Sequence, residues 1–288
     1  MAIGKLTWRK VSKLAVITLV VGYVLACATV WAFQRSLLYF PTAFTVAVAE
    51  SIGSKEGLLP WRNSRGELIG WKLPAKTNSS GQILILHGNA GSAVQRGYLA
   101  HPAYEATACD VFLLEYPGYG ARPGTPSMGS FLAAADEAFK ELAQKPVYVV
   151  SESIGTGAAA HLAKSYPDKV HGMLMFVPYD DLASVAQRQM WWLPASMLLK
   201  DRYQPAKWLN DYRGPVKVVL AGEDEIVPVE LGRNLFESYQ GPKQLQIIPN
   251  ARHNDPTSQP IDWWKGVVQF WKTNRLNRAV PSPQNASP

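Results

Sequence analysis

Cysteine is nearly absent from this chain: Cys27 and Cys109 are the only two among 288 residues. Cys27 lies inside an apolar run and Cys109 just ahead of a strand-like one, so no disulfide framework staples the chain and a hydrophobic core must hold it. No Cys/His cluster has metal-ligand spacing, and neither a Gly-rich phosphate loop nor a dinucleotide fingerprint occurs. The expectation is chemistry with no metal and no cofactor. Strong charge is also lacking where it would matter for nucleic acid. The net charge is +7, from 29 basic and 22 acidic residues. Four of the basic residues, Lys5, Arg9, Lys10 and Lys13, lead the chain, and 29 less 4 leaves 25 against 22. So small and scattered an excess does not predict a nucleic-acid partner. No internal repeat is visible.

The longest absence is of charge itself. From Leu14 to Phe33 no charged residue interrupts 20 apolar or neutral positions, and about 20 such residues in a helix cross a bilayer core. The basic residues before the run and only Arg35 close behind it orient the chain by the positive-inside rule. Residues 1–13 are expected to be a cytoplasmic basic tail and 14–33 a transmembrane anchor. The rest lies on the extracytoplasmic side of the membrane, periplasmic if the source is bacterial. Two other fates remain open. A cleaved signal peptide would have a shorter apolar core. Val24-Leu25-Ala26-Cys27 resembles a lipoprotein processing site, although the apolar run continues through Phe33 where a polar linker is usual. Span length favours the uncleaved anchor. At the other end, the Pro/Ser-rich residues 278–288 are expected to be disordered.

Between these ends the pattern alternates. Leu58–Asn63 and Glu67–Leu73 flank Ser64-Arg65-Gly66 as an antiparallel hairpin. Apolar runs at 82–86, 111–114, 147–150, 170–177, 216–220 and 244–248 alternate with helical stretches near 128–144, 156–162, 228–239 and 261–273. This order predicts an α/β fold, a mostly parallel central sheet with helices on both faces.

One turn in this pattern carries chemistry. Ser151-Glu152-Ser153-Ile154-Gly155 follows a strand and opens a helix, close to the G-x-S-x-G pattern that forces a serine hydroxyl out of a sharp turn. A serine nucleophile needs an imidazole to take its proton and a carboxylate to orient the imidazole. His253 is the one histidine well downstream, in a loop after a strand-like run. Asp224 follows the run 216–220 and is the preferred acid, with Glu223 and Glu225 as rivals that spacing does not separate. An oxyanion hole needs two N–H groups. Ile154, after the nucleophile, supplies one. Asn89, in the loop His87-Gly88-Asn89-Ala90-Gly91, supplies the other through its backbone. His87 is read as hydrogen-bonded within that loop, and His101, His161 and His171 as surface or packing residues.

These stretches, with Glu115-Tyr116-Pro117-Gly118-Tyr119-Gly120, Gly124-Thr125-Pro126-Ser127, Gly222 to Pro228 and Leu37-Leu38-Tyr39-Phe40-Pro41, resemble the α/β-hydrolase superfamily. Within it they resemble the membrane-anchored Bem46 and ABHD13/ABHD17-like serine hydrolases. The resemblance runs from about Leu14 to Trp271, with two departures: Ser151 replaces the first elbow glycine, and Glu115-Tyr116-Pro117 stands where the group more often has Asp-Tyr-Arg. It implies an α/β-hydrolase domain over 34–277 with a helical cap at about 179–213. Met190, Trp191 and Trp192 in that cap are candidate substrate-binding residues, their alternatives being contact with the membrane and cap packing. Asp180 and Asp181 are rival catalytic acids.

The implied function is a serine hydrolase acting on an ester or thioester of a small acyl substrate, lipid-derived substrates included. A peptidase or amidase on the same triad is an alternative. So is a catalytically idle, membrane-tethered binding protein.

Overall fold

Among the described residues eight strands form the central sheet, and the chain enters it through a hairpin. The computed structural model describes residues 8–76, 78–142 and 144–279. After helix α1 (Trp8–Leu38) come β1 (Phe40–Pro41), α2 (Val46–Lys55) and the hairpin strands β2 (Leu59–Arg62) and β3 (Leu68–Leu73). Next are β4 (Gln82–Leu86), β5 (Ala90–Gly91), α3 (Gly97–Ala106), β6 (Asp110–Leu114), α4 (Met128–Leu142), β7 (Val147–Glu152), α5 (Gly155–Ser165) and β8 (Val170–Phe176). The short helices α6 (Leu182–Gln189), α7 (Ala195–Leu198) and α8 (Pro205–Trp208) follow in the segment expected to form a cap. The body closes with β9 (Val216–Ala221), α9 (Val229–Ser238), β10 (Lys243–Ile248) and α10 (Ile261–Ala279).

The sheet runs β10-β9-β8-β7-β4-β6-β3-β2. β4 and β6 to β10 pair in parallel, as the alternating pattern predicted, while β3 pairs antiparallel with both β6 and β2 and so runs against the other strands of the sheet. β1 and β5 form a separate two-residue parallel pair. Every residue of β4 is buried, because a parallel strand at the middle of a sheet is covered on both faces and cannot alternate. One core lies against α4 and α5, with Phe131, Phe139 and Leu162, and the other against α3 and α10, with Leu99, Trp264 and Trp271. Strand order reverses around β4, so crossovers diverge there. The crevice at the carboxyl ends of the strands is where such sheets place their sites.

Several bounds differ from expectation for local reasons. β7 runs on through buried Ser151 and Glu152, since pairing with β4 and β8 continues past the apolar run. β8 stops at Phe176 because Val177 sits at φ 45°, outside the extended region. Neither α2 nor α3 was anticipated. α2 buries only Ala49 and Gly53 and so carries little apolar periodicity, and α3 contains Pro102, a residue that normally signals a break. α1 is 31 residues long and continues beyond Phe33. Within it, Lys10–Leu38 is long and apolar enough to cross a membrane. α10 makes residues 278 and 279 helical, a correction to the disordered tail, whose remaining residues 280–288 lie outside the described residues, as do residues 1–7.

Trp271 locks α10 to the sheet. Its ring stacks on Tyr148 at 4.8 Å, its indole N–H donates to the Met173 carbonyl at 3.1 Å, and Gly172 leaves room for it. Trp271→Ala is expected to cost about 3–5 kcal/mol, measured as a lower midpoint in denaturant unfolding. A change within about 0.5 kcal/mol, the range of ordinary surface substitutions, would contradict this packing.

Candidate functional site

Four strand ends bring the site together. Ser153 follows β7 in the turn into α5, at φ 50°, a conformation that side-chain-bearing residues seldom take. Its N–H donates to the Phe176 carbonyl at 3.0 Å, and its carbonyl accepts from Thr156 N–H at 2.9 Å. Gly155 allows the turn: a Cβ there would sit 2.2 Å from the Leu86 carbonyl oxygen. Ser151 is fully buried, opposite Leu86 and Met175 on the flanking strands.

His253 lies in the loop after β10 and Asp224 in the turn after β9. Their loops meet because Gly222 packs against the Pro249 backbone, where a Cβ would lie 2.1 Å from the carbonyl oxygen. Glu223 N–H also donates to the Ala251 carbonyl at 2.9 Å. His253 Nε2 stands 3.0 Å from Ser153 Oγ, and His253 Nδ1 stands 2.7 Å from Asp224 Oδ2 and 2.9 Å from Oδ1. The Asp224 carboxylate also accepts the N–H groups of Ile226 and Val227, at 2.9 and 2.7 Å. These bonds aim it inward, while Glu223 and Glu225 are exposed. The rival acids of the cap are engaged elsewhere. Asp181 caps α6 at Ala183 N–H (2.7 Å) and accepts from Gln204, and Asp180 accepts from Asn234 and from Asp181 N–H.

The side-chain amide of Asn89 donates to the Leu38 carbonyl at 3.0 Å, and the backbone carbonyl of Asn89 accepts from Phe40 N–H and the Tyr119 hydroxyl. Ile154 is buried at the first turn of α5. His87 Nδ1 is 2.7 Å from the Gly88 carbonyl, within its own loop.

A buried ion pair behind this loop was missed in the sequence. Arg96 Nε donates to Glu152 Oε2 at 2.9 Å and its Nη2 to the Ala90 carbonyl at 2.6 Å. Gly88 N–H and the Tyr98 hydroxyl point to the same Glu152 oxygen, at 3.4 and 3.3 Å. Burial is the largest single influence and would lower the Arg96 pKa, but the charge of Glu152 and its hydrogen bond, with Tyr98 and Glu115, together outweigh it and the pKa is raised. The pair thus couples the loop bearing Asn89 to the strand bearing Ser153. The available signal was the isolated charge of Glu152 at the end of an apolar run.

A cavity of about 590 Å³ leads away from His253 and Asn89, between α1 and the cap. Its walls include Leu182, Val185, Met190 and Leu198. Trp191 and Trp192 are not in the wall and stand 79% and 52% exposed. The chain turns after Met190 and buries Leu193 in their stead.

A profile described as alpha/beta hydrolase fold matches residues 82–203, and one for PhoPQ-activated pathogenicity-related protein matches 179–287. An uncharacterised protein of Mycobacterium tuberculosis is 31% identical over 257 residues, covering 86% of this chain and 89% of that one. The lysophosphatidylserine lipase ABHD12 of Danio rerio is 24% identical, covering 66% of this chain and 56% of its own. The solved structure of a Paleococcus ferrophilus monoacylglycerol lipase superposes with a TM-score of 0.55 at 18% identity, covering 71% of this chain and 99% of that one. At that identity the likeness is one of fold.

Arg96→Met leaves the Glu152 carboxylate buried without its cation. The expected cost is about 3–5 kcal/mol, read from denaturant unfolding. Unchanged stability would mean that the pair does not tie the loop down.

Proposed function

Because the chain belongs to the alpha/beta hydrolase family, we propose that it is a membrane-anchored serine hydrolase that cleaves a carboxylic ester or thioester. The observation that carries this reading is the unbroken hydrogen-bonded line Asp224–His253–Ser153, with separations of 2.7 and 3.0 Å. It ends on a serine whose backbone is held at φ 50°.

Ser153 Oγ attacks the acyl carbonyl while His253 Nε2 takes its proton. Asp224 holds the Nδ1–H tautomer and stabilises the imidazolium that forms. The negative charge on the former carbonyl oxygen is met by the N–H groups of Asn89 and Ile154. As the tetrahedral adduct collapses, His253 returns the proton to the departing alkoxide or thiolate. Water then attacks the acyl-enzyme, His253 takes a proton from it, and Ser153 leaves as the free hydroxyl with the acid as product. The apolar cavity beside His253 supports an acyl group over a polar peptide as the bound moiety. A relative is named as a lipase of lysophosphatidylserine, which favours a lipid ester.

α1 anchors the enzyme, with Lys10 and Lys13 on the cytoplasmic side and the hydrolase body across the membrane. A reporter fused after Pro288 is expected to be active outside the cytoplasm, and activity confined to the cytoplasm would overturn this orientation.

The purified full chain in detergent is expected to be labelled by a fluorophosphonate, and Ser153→Ala is expected to abolish the label. Asp224→Asn should lower kcat by about 10⁴-fold through loss of the correct histidine tautomer. Folded protein that takes no label, or a Ser153→Ala chain that hydrolyses esters as before, would reject the reading.

A further inference from the structure

One wall of the cavity beside His253 comes from outside the hydrolase body. Val30, Leu37 and Leu38 of α1 line it, facing Leu182, Val185 and Leu198 of the cap. α1 is fastened to the cap at several heights. Gln34 donates to the Leu198 carbonyl at 3.0 Å and accepts from Lys200 N–H at 2.6 Å. Arg35 forks onto the Asp201 carboxylate at 3.0 and 3.1 Å, and the Lys200 ammonium lies 3.7 Å from the centre of the Trp31 ring. Further towards the N-terminus, the Tyr23 hydroxyl donates to the Trp192 carbonyl at 3.3 Å.

From Trp31 to Tyr23 is about 12 Å of helix at 1.5 Å per residue. The cap therefore follows α1 from a charged level, with Lys200 and Asp201, to an apolar one, with the exposed Trp191 and Trp192. A charged and aromatic belt succeeded by bare apolar side chains is the order found on passing from water into lipid. Leu14–Phe33 needs nearly all its length to cross a core of about 30 Å, so the cap loop touching Tyr23 falls below the membrane surface. Large apolar side chains with so little protein cover fit a lipid surroundings.

We propose that α1 is a wall of the acyl pocket as well as an anchor, that the cap tip at Trp191–Trp192 sits in the adjoining leaflet, and that the pocket receives the single acyl chain of an ester directly from the bilayer. The proposal rests on the hydrolase reading for its chemistry. The volume of about 590 Å³ falls within the roughly 300–1,000 Å³ of pockets that enclose one small ligand, and the apolar walls suit a hydrocarbon chain. The chain runs between α1 and α6 with its carbonyl at Ser153. Residues of α1 then take part in setting the acyl length.

The test uses the full chain in phospholipid nanodiscs, with an alkyl fluorophosphonate carrying a diazirine at the far end of its chain. Captured by Ser153 and irradiated, it is expected to cross-link to α1 within residues 30–38. Cross-links confined to other elements would overturn the proposal. A parallel arm gives Ser153→Ala a diazirine-bearing single-chain phospholipid, again with cross-links expected on α1. Cross-links there without any Ser153 capture in the unmodified chain would reject the hydrolase reading and keep the lipid pocket. Capture at Ser153 without them would do the reverse. Val30→Trp should also lower kcat/KM for a hexadecanoyl ester, relative to a butanoyl ester, by about tenfold or more. An unchanged ratio would remove α1 from the pocket.

Discussion

The approach of the elbow to β4 is the constraint on which the rest of the site depends. Ser153 occupies a left-handed backbone conformation, of the kind that costs about 1–3 kcal/mol and persists only where the surroundings over-determine it. Here they do. The Ser153 N–H is held by β8, Gly155 lies against the Leu86 carbonyl, and Ser151 fills a fully buried slot between β4 and β8. The same approach sets the loop after β4 beside the serine, and the Arg96–Glu152 pair fixes that loop from behind. On the other side of the serine, Gly222 against Pro249 draws the loops of Asp224 and His253 together. Glycines at two points of backbone contact thus convert a generic parallel sheet into a defined three-residue line.

The second organising contact is between α1 and the cap. The Arg35–Asp201 fork is joined by the Tyr39 hydroxyl, 3.1 Å from Asp201, and Tyr39 in turn meets the Tyr203 hydroxyl at 3.2 Å. Asp201 is buried whereas Arg35 is half exposed, so the carboxylate is paired without both charges being fully desolvated, the more favourable form of such a contact. This cluster joins the helix to the segment that roofs the cavity.

Much of the body was legible in the sequence. Strands buried on both faces read as continuous apolar runs, which is why β4, β6, β7, β8 and β9 stand out, and helices between them imply parallel pairing. Ser153, Asp224 and His253 were picked out by order and by position at strand ends, and the structure brings those three together. The choice of Asp224 over Glu223 and Glu225 was not legible, because it rests on which carboxylate the N–H groups of Ile226 and Val227 capture. α2 and α3 were hidden by their small buried residues and by Pro102. Arg96 and Glu152, 56 residues apart, show no sequence relation and meet only through the fold. The exposure of Trp191 and Trp192 was not legible, because an exposed tryptophan and a pocket tryptophan read alike in sequence.

Trapping the intermediate tests the central claim most directly. The full chain would be acid-quenched during turnover of a slowly deacylated ester, digested, and weighed by mass spectrometry. An acyl group on the peptide containing Ser153, absent from the Ser153→Ala chain, is the predicted result. Turnover that leaves no adduct on Ser153, or an adduct on another residue, would contradict a nucleophilic serine at this elbow.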